Sequence, residues 1–282
     1  MIGYIKLRWL LITFLYIASS AFVCAEETSD QAPAWSFPAS ISLVSDYIFR
    51  GQTQTWGNPA LQLSIEADHQ SGFYASFWGS NVTSDWLPGA RLEADFSSGF
   101  RKKLFSGIET DIGGTYIYYP GANFSQISTV HFPSAKINSL EFYLSLKQDF
   151  WMIKAGYMPT QYFGWNASNT SVGASFAGNP QAGVVGDTRG AYYYSANINR
   201  DWLAANVAAE IGHQVIPNTV DLDWTWYKLT VSKNFENGWS LGAFYTGTFG
   251  THAYEHFVSL DNLNNTHTID TSKLVLTISK NF

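Results

Sequence analysis

Apolar and polar residues alternate along most of the chain after residue 39. In the stretch 61–68 every odd-numbered residue is apolar and every even-numbered residue is polar or charged, and similar divisions recur at 91–96 and 140–147. A period of two places apolar and polar side chains on opposite faces of a β-strand, whereas a helix needs a period near 3.6. The pattern therefore predicts an all-β chain whose strands each have one apolar face.

Turn residues divide the alternating region into twelve predicted strands. The predicted strands are 39–50, 59–69, 73–81, 90–100, 108–119, 138–147, 151–158, 190–198, 203–213, 223–233, 239–248 and 271–282. Short and long connections alternate between them, and the longest are 120–137, 159–189 and 249–270. This asymmetry predicts a transmembrane antiparallel up-and-down β-barrel with short periplasmic turns and long extracellular loops.

Aromatic residues beside the short turns give a second regularity. Their parity, the odd or even position of a residue in the alternation of its strand, places them on the apolar face. Aromatic rings are favoured where hydrocarbon meets water. The predicted lower girdle consists of Phe73, Phe100, Trp151, Phe235, Trp239 and Phe282. A soluble β-protein with these rings in its core would show the same alternation and stays open as an alternative, although rings gathered at the strand ends favour lipid.

Composition and charge narrow the class further. Only 13% of the residues are charged, against roughly 25% in soluble domains, while 17% are aromatic. No stretch after the N-terminus is long and apolar enough for a membrane helix. The formal net charge of −6 makes nucleic acid an unsuitable partner, because phosphate binding needs a basic face.

The N-terminus has the pattern of a secretory signal peptide. Lys6 and Arg8 precede an apolar run from Trp9 to Cys24, and small residues allow cleavage after Ala25. The predicted division is a signal peptide at 1–25, a periplasmic leader at 26–38 and the barrel at 39–282. Retention of the run as an anchor and lipid attachment at Cys24 are alternatives that its length and the bulky residues before Cys24 disfavour.

The start of the predicted barrel resembles a known family. The segment 44–51, Val-Ser-Asp-Tyr-Ile-Phe-Arg-Gly, and the segments 58–62, 71–75 and 78–82 are similar to the opening of the TorF family, whose members are described as porins. The likeness extends over nearly the whole mature chain and is looser at 161–188. It implies an outer-membrane barrel, with no catalytic residues and no agreed solute.

The last strand, from Leu274 to Phe282, resembles the C-terminal signal read by the barrel-assembly machinery of the Gram-negative outer membrane. Lys280 departs from that pattern, which usually has an apolar residue there. The resemblance implies the assembly machinery as a partner, beside the outer-membrane lipids. Association into a homo-oligomer stays open.

Charged residues with inward parity are the candidate pore lining, and carboxylates outnumber bases among them. They are Asp46, Arg50, Glu66, Arg91, Glu93, Asp95, Glu109, Asp111, Glu141, Lys147, Lys154, Glu210 and Lys228. Charges inside a barrel need water or a charged partner, so they indicate either a hydrated pore or a plug of ion pairs. Arg50 either pairs with Asp46 or a neighbouring carboxylate, or binds solute.

The predicted function is a porin for passive diffusion of small polar solutes through a narrow lumen, with a cation preference that follows from the excess of carboxylates. The 159–189 loop is a candidate lid. The alternative is a closed structural or receptor barrel that acts through its extracellular loops.

An enzymatic function has little support in the sequence. The one tight pair of His and Ser, His69 with Ser71, falls in a short turn and lacks a third member. His252 and His256 are four residues apart, with His267 later in the same loop, but this spacing indicates a metal site only on a helix, and none is predicted there. We therefore predict no catalytic residues, no metal and no cofactor.

Overall fold

The computed structural model describes residues 33–104, 107–126, 135–173, 176–262 and 264–282. The predicted signal peptide and the leader up to residue 32 lie outside the described residues. Twelve strands form the barrel. They are β1 Ala39–Val44, β2 Ala60–His69, β3 Phe73–Asn81, β4 Leu92–Lys103, β5 Glu109–Tyr118, β6 Ser139–Gln148, β7 Trp151–Met158, β8 Ala191–Trp202, β9 Ala205–Val215, β10 Trp224–Asn234, β11 Trp239–Phe249 and β12 Lys273–Asn281.

Every strand pairs antiparallel with the strand before it and the strand after it. The sheet closes because β1 pairs with β2 on one side and with β12 on the other, where Val44 lies opposite Thr277. Closure removes the free edges that an open sheet would present. The predicted fold class, a twelve-stranded antiparallel barrel, is confirmed.

Strand boundaries agree best where the alternation is strict. β3 and β7 have the predicted bounds, whereas the first strand ends at Val44 and not at residue 50. Beyond Val44 the chain turns into the barrel. Arg50 has a φ of 47°, a left-handed backbone conformation that is incompatible with a β-strand. A short strand at Trp35–Ser36, within the predicted leader, also pairs with the end of β2.

The outer face of the barrel is apolar and the inner face is polar. Leu61, Ile65 and Ile112 on the outside are 50%, 48% and 60% exposed. An exposed apolar band on every strand is the surface that a bilayer covers. The six predicted girdle residues all lie beside the short turns; Phe73 faces Phe100 across neighbouring strands, and Trp151 is less exposed than the other five.

Connections divide the barrel into a short-turn end and a long-loop end. The described parts of the long loops contain three short strand pairs and two 3-10 helices. The strand pairs are Ile48–Phe49 with Gln52–Thr53, Gly183–Val184 with Thr219–Val220, and Phe257–Val258 with Thr266–His267, and the helices are Phe124–Gln126 and Tyr162–Gly164. None of the helices in the described ranges is long and apolar enough to cross a membrane.

The long loops share a buried core, which we call the aromatic cap. Five of its large rings are almost completely buried and lie ring to ring, with centroids 4.9 to 5.8 Å apart and in edge-on arrangements. They are Trp86, Trp165, Phe176, Tyr254 and Phe257. Edge-to-face packing of large rings stabilises each contact beyond the area that it buries. The loops therefore form a packed cover over the long-loop end.

Glycines on the inner wall make room for large rings. A Cβ atom on Gly156 of β7 would lie 2.1 Å from the Tyr193 ring. We expect Gly156→Ala to lower the free energy of unfolding by about 1–3 kcal/mol, because the ring must move in a packed interior. Urea unfolding in detergent measures this. The matched control is Gly114→Ala on the outer face, whose added Cβ meets the Phe142 ring at 3.1 Å; equal losses in both variants would contradict the packing argument.

Candidate functional site in the barrel lumen

The loop between β1 and β2, residues 45–59, folds into the barrel, and we call it the inner loop. Its residues from Gln52 to Thr55 are at most 3% exposed. Gly51 has a φ of 85°, and a Cβ there would lie 2.5 Å from Thr248 Cγ2 and 2.9 Å from Trp226 Cβ. Only glycine fits this backbone conformation so close to the wall. The inner loop is thus pressed against β10 and β11.

Arg50 reaches from the inner loop to the far wall of the barrel. Its Nη1 donates to Gln214 Oε1 on β9 at 2.6 Å, and its Nη2 donates to Glu141 Oε2 on β6 at 2.7 Å. The guanidinium carbon lies 3.5 Å from the centre of the Tyr193 ring on β8. Trp224 Nε1 donates to the Arg50 carbonyl at 2.8 Å. Since β6 and β8 lie across the barrel from β1 in the strand order, Arg50 spans the lumen.

The contact between Arg50 and Glu141 is the most buried ion pair of the described residues, with side chains 10% and 8% exposed. Tyr193 donates its hydroxyl to the second oxygen of Glu141 at 3.0 Å. Such a pair is weak evidence for net stability, but removing one partner leaves a buried charge alone and costs about 3–5 kcal/mol. We call Arg50, Glu141 and Gln214 the lumen latch.

Asp46 holds the beginning of the inner loop. It pairs with Lys273 Nζ of β12 at 3.0 Å and accepts hydrogen bonds from Thr53 and Thr55 of the same loop. The sequence left two structural partners open for Arg50, Asp46 or a neighbouring carboxylate. Asp46 pairs with Lys273, and Arg50 pairs with the carboxylate of Glu141. The inner loop is fixed at both walls.

Glu93 and Asp95 form an acidic pair on the inner face of β4. Tyr47 of the inner loop donates its hydroxyl to Glu93 Oε1 at 3.2 Å. Neither carboxylate has an ion pair within the described ranges, and Glu93 Oε2 and Asp95 Oδ1 are buried without a hydrogen-bond partner there. Two neighbouring carboxylates without a basic partner repel each other when both are ionised, so an added positive charge beside them, a cation or a proton, is favoured.

A second set of charges, the arginine cluster, lies toward the short-turn end. Arg101 contacts Glu66 at 2.6 Å, Asp68 at 3.1 Å and Asp111 at 3.4 Å, and its guanidinium carbon lies 3.8 Å from the centre of the Tyr74 ring. The charged side chains are 20% to 36% exposed, so water reaches this part of the lumen. The Tyr74 hydroxyl donates to Asp111 at 2.8 Å and joins the cluster to the wall.

The other predicted lining residues are more dispersed. Lys154 lies over the Tyr143 ring at 4.1 Å, Lys228 lies over the Phe244 ring at 5.2 Å, and Glu210 accepts from Trp226 Nε1 at 2.7 Å.

Three predicted residues lie at the ends of the barrel. Glu109 and Lys147 face each other across β5 and β6 near the short turns, without an ion pair between them. Arg91 lies before β4 in a long loop and is exposed, so the structure places it outside the lumen wall. The inward direction of Arg91 was predicted on the assumption that its strand begins at residue 90. Because β4 begins at Leu92, Arg91 lies outside the strand and the alternation does not apply to it.

Two titratable groups of the long loops are shifted by burial. Burial lowers the pKa of His267, whose ring lies 5.2 Å from that of Trp56 in the inner loop. Burial raises the pKa of Asp270, which accepts a hydrogen bond from Thr248 at 3.1 Å. Burial therefore favours the neutral form of both groups where the cap meets the inner loop.

The histidine and serine that the sequence singled out lie in a turn. His69 Nδ1 and Ser71 Oγ are 2.8 Å apart at the short-turn end, where Ser71 is exposed and His69 is half-buried. No acidic side chain hydrogen-bonds to His69 in the part of the chain that the structure describes. The same described ranges contain no group of three His, Cys, Asp or Glu side chains arranged to hold a metal.

Four residues of the site were not predicted. Arg101 lies one residue beyond the predicted end of its strand, and β4 continues to Lys103. Lys273 lies two residues before the inward-facing Val275 on the same strand, so the alternation in the sequence could have identified it as a lining residue. Gln214 and Tyr193 carry no charge, so a search for charged lining residues passes over them.

The family of the chain follows from a sequence comparison. A family model described as "bacterial protein of unknown function (Gcw_chp)" matches residues 28–282. The chain belongs to the Gcw_chp family. The match spans all twelve strands, so this Gcw_chp barrel is covered from β1 to β12. No curated protein matches the chain significantly.

Several solved structures are similar to this Gcw_chp barrel. The KdgM porin has a TM-score of 0.48 at 10% identity, covering 87% of this chain and 99% of its own. The NanC porin has a TM-score of 0.48 at 9% identity, covering 86% and 98%. An outer-membrane channel from Pseudomonas putida has a TM-score of 0.47 at 10% identity, covering 92% and 100%. Since these TM-scores lie below 0.5, the fold rests on the strand pairing above.

Proposed function

We propose that this chain is an outer-membrane channel for passive diffusion of small polar solutes, that it favours cations, and that the lumen latch closes it. The observation that carries the proposal is the difference between the two halves of the lumen. The arginine cluster is charged and partly exposed, whereas a single folded-in loop crosses the other half through polar contacts. The loop is held to the wall chiefly by side-chain contacts, those of Arg50 with β6 and β9 and that of Asp46 with β12, so it can leave the wall without unfolding a strand.

The outer face and the sequence support the membrane location. The apolar band with rings beside the short turns is what a bilayer covers, and the resemblance of the segment 44–51 to the TorF family points to a porin. The short turns then face the periplasm and the aromatic cap faces the outside. The signal peptide and the C-terminal pattern at Phe282 belong to the same proposal, as export and assembly in the outer membrane.

The acidic pair, Glu93 and Asp95, supports the cation preference. A carboxylate attracts a cation about 4 Å away by about 1 kcal/mol even at the dielectric constant of water, which changes occupancy about fivefold. Neither carboxylate is neutralised by an ion pair in the described part of the chain. Both lie on the inner face of β4, where displacement of the inner loop and its Tyr47 would expose them to a passing solute.

Single-channel recording in planar bilayers tests the proposal. We expect the refolded protein to open to a small conductance with a cation preference, and the Glu93→Gln/Asp95→Asn variant to lower the ratio of cation to anion permeability at least about fivefold. The control variant Asp149→Asn/Glu236→Gln removes the same charge from exposed turns. A folded protein without conductance, an anion preference, or equal effects in both variants would reject the proposal.

The aromatic cap favours a second candidate, a closed barrel that acts through its extracellular loops. Trp165, Phe176 and Phe257 are at most 1% exposed, which makes the cover a packed unit. If that cover never opens, liposomes containing the protein will not swell in small sugars, even when the lumen latch is removed. Swelling of those liposomes would decide for the channel.

A further inference from the structure

The position of the basic strand residues along the barrel axis depends on whether their side chains face inward or outward. Those with inward parity occur along the whole lumen, whereas those with outward parity occur only next to the short turns, within the described ranges. The outward ones are Lys102, Arg200, Lys233 and Lys280. The apolar band between the two ends thus has no outward cation on the described strands. On the described strands, outward-facing positive charge is therefore confined to the short-turn end.

Two of these lysines belong to a single patch across the neighbouring strands β10, β11 and β12, which we call the rim patch. It consists of Lys233, Phe235, Trp239, Lys280 and Phe282. Lys280 lies opposite Trp239 in the strand register, and its Nζ lies 5.9 Å from the Trp239 ring and 5.6 Å from the Phe282 ring. Lys233 Nζ lies 5.6 Å from the Phe235 ring. Each ammonium group is therefore held beside a ring.

No ion pair of the described residues neutralises the two lysines of the rim patch. Neither Lys233 nor Lys280 has an ion pair in the described part of the chain, and Glu236 in the adjacent turn contacts neither. Lys280 Nζ donates to the backbone carbonyl of Asn237, which directs it toward the turn and away from the apolar band. The three exposed rings are the kind that settle at headgroup level. An ammonium group beyond them reaches the depth of the lipid phosphates.

We propose that the rim patch is a binding site for the headgroup phosphate of an anionic phospholipid, with phosphatidylglycerol of the periplasmic leaflet as its occupant. The two lysines bind the phosphate, and the rings pack on the glycerol and the first acyl carbons. Charge complementarity selects an anionic headgroup, because a choline headgroup carries its own cation next to the phosphate. The site is independent of whether the lumen conducts.

Native mass spectrometry of the full barrel in detergent tests this site with phosphatidylglycerol as the probe, and phosphatidylcholine with the same acyl chains and inorganic phosphate as comparisons. We expect the protein to retain phosphatidylglycerol, and the Lys233→Gln/Lys280→Gln variant to bind it on the order of tenfold more weakly. The control variant Lys136→Gln/Arg189→Gln removes the same charge from the long loops and should bind as the parent does.

Three results would overturn the proposal. They are an unchanged affinity in the lysine variant, equal retention of phosphatidylcholine, and displacement of the lipid by millimolar inorganic phosphate. The heat-dependent mobility of the barrel on a gel shows that each variant is folded before the lipid is added. Since no conductance is measured, a failure of the channel proposal leaves this outcome untouched.

Discussion

The Arg50→Ala variant is expected to conduct far more than the parent protein. The substitution removes the guanidinium that crosses the lumen and leaves Glu141 and Gln214 without their partner. Losing a buried pair of this kind costs about 3 kcal/mol or more, which shifts the ratio of open to closed loop about a hundredfold. Single-channel recording should therefore show a much higher open probability, and liposomes should swell faster.

Two further variants make the Arg50 experiment specific. Glu141→Gln keeps the shape of the side chain while removing its charge, and we expect it to open the channel in the same direction by a smaller amount. Arg189→Ala removes an arginine whose ion pair with Asp187 is exposed in a long loop, and it should leave conduction unchanged. Parent-like traces from a correctly folded Arg50→Ala protein would mean that the inner loop is not the barrier.

The strands were predictable because the residue types along each strand match the surroundings of its two faces. In β3 and β7 the contrast between an apolar outside and a polar inside repeats at every second residue, and it does not depend on which strands are neighbours. The parity of Glu141 and Glu93 follows from the same contrast. Alternation therefore predicts the faces of a barrel strand by strand, and short turns predict the order in which the strands pair.

The contacts of the lumen latch could not be predicted from the alternation of apolar and polar residues. The sequence around Arg50 continues to look like a strand, and its conformation depends on partners 91 and 164 residues away. Parity tells which charges point inward, but it does not tell which of them meet across the lumen. Arg101 was missed for a local reason, although Glu66 and Asp111 of its cluster were predicted: Phe100 looked like the end of a strand that the structure continues past Arg101.

The arginine cluster sets the charge of the periplasmic half of the proposed channel. Arg101 is the one cation that contacts Glu66, Asp68 and Asp111 in the described part of the chain. Without it, three carboxylates would share a narrow space and repel one another. Water reaches the cluster, so screening reduces that repulsion below the value for a fully buried pair. The loss of Arg101 should therefore alter selectivity more than stability.

We expect Arg101→Ala to lower the free energy of unfolding by about 1–2 kcal/mol and to raise the ratio of cation to anion permeability at least about fivefold, because three carboxylates lose their counter-charge. Urea unfolding in detergent and the reversal potential in a salt gradient measure the two effects. Lys103→Ala, at the exposed end of the same strand and with no ion pair in the described ranges, is the matched control. Equal shifts of the reversal potential in both variants would show that the cluster does not face the solute path.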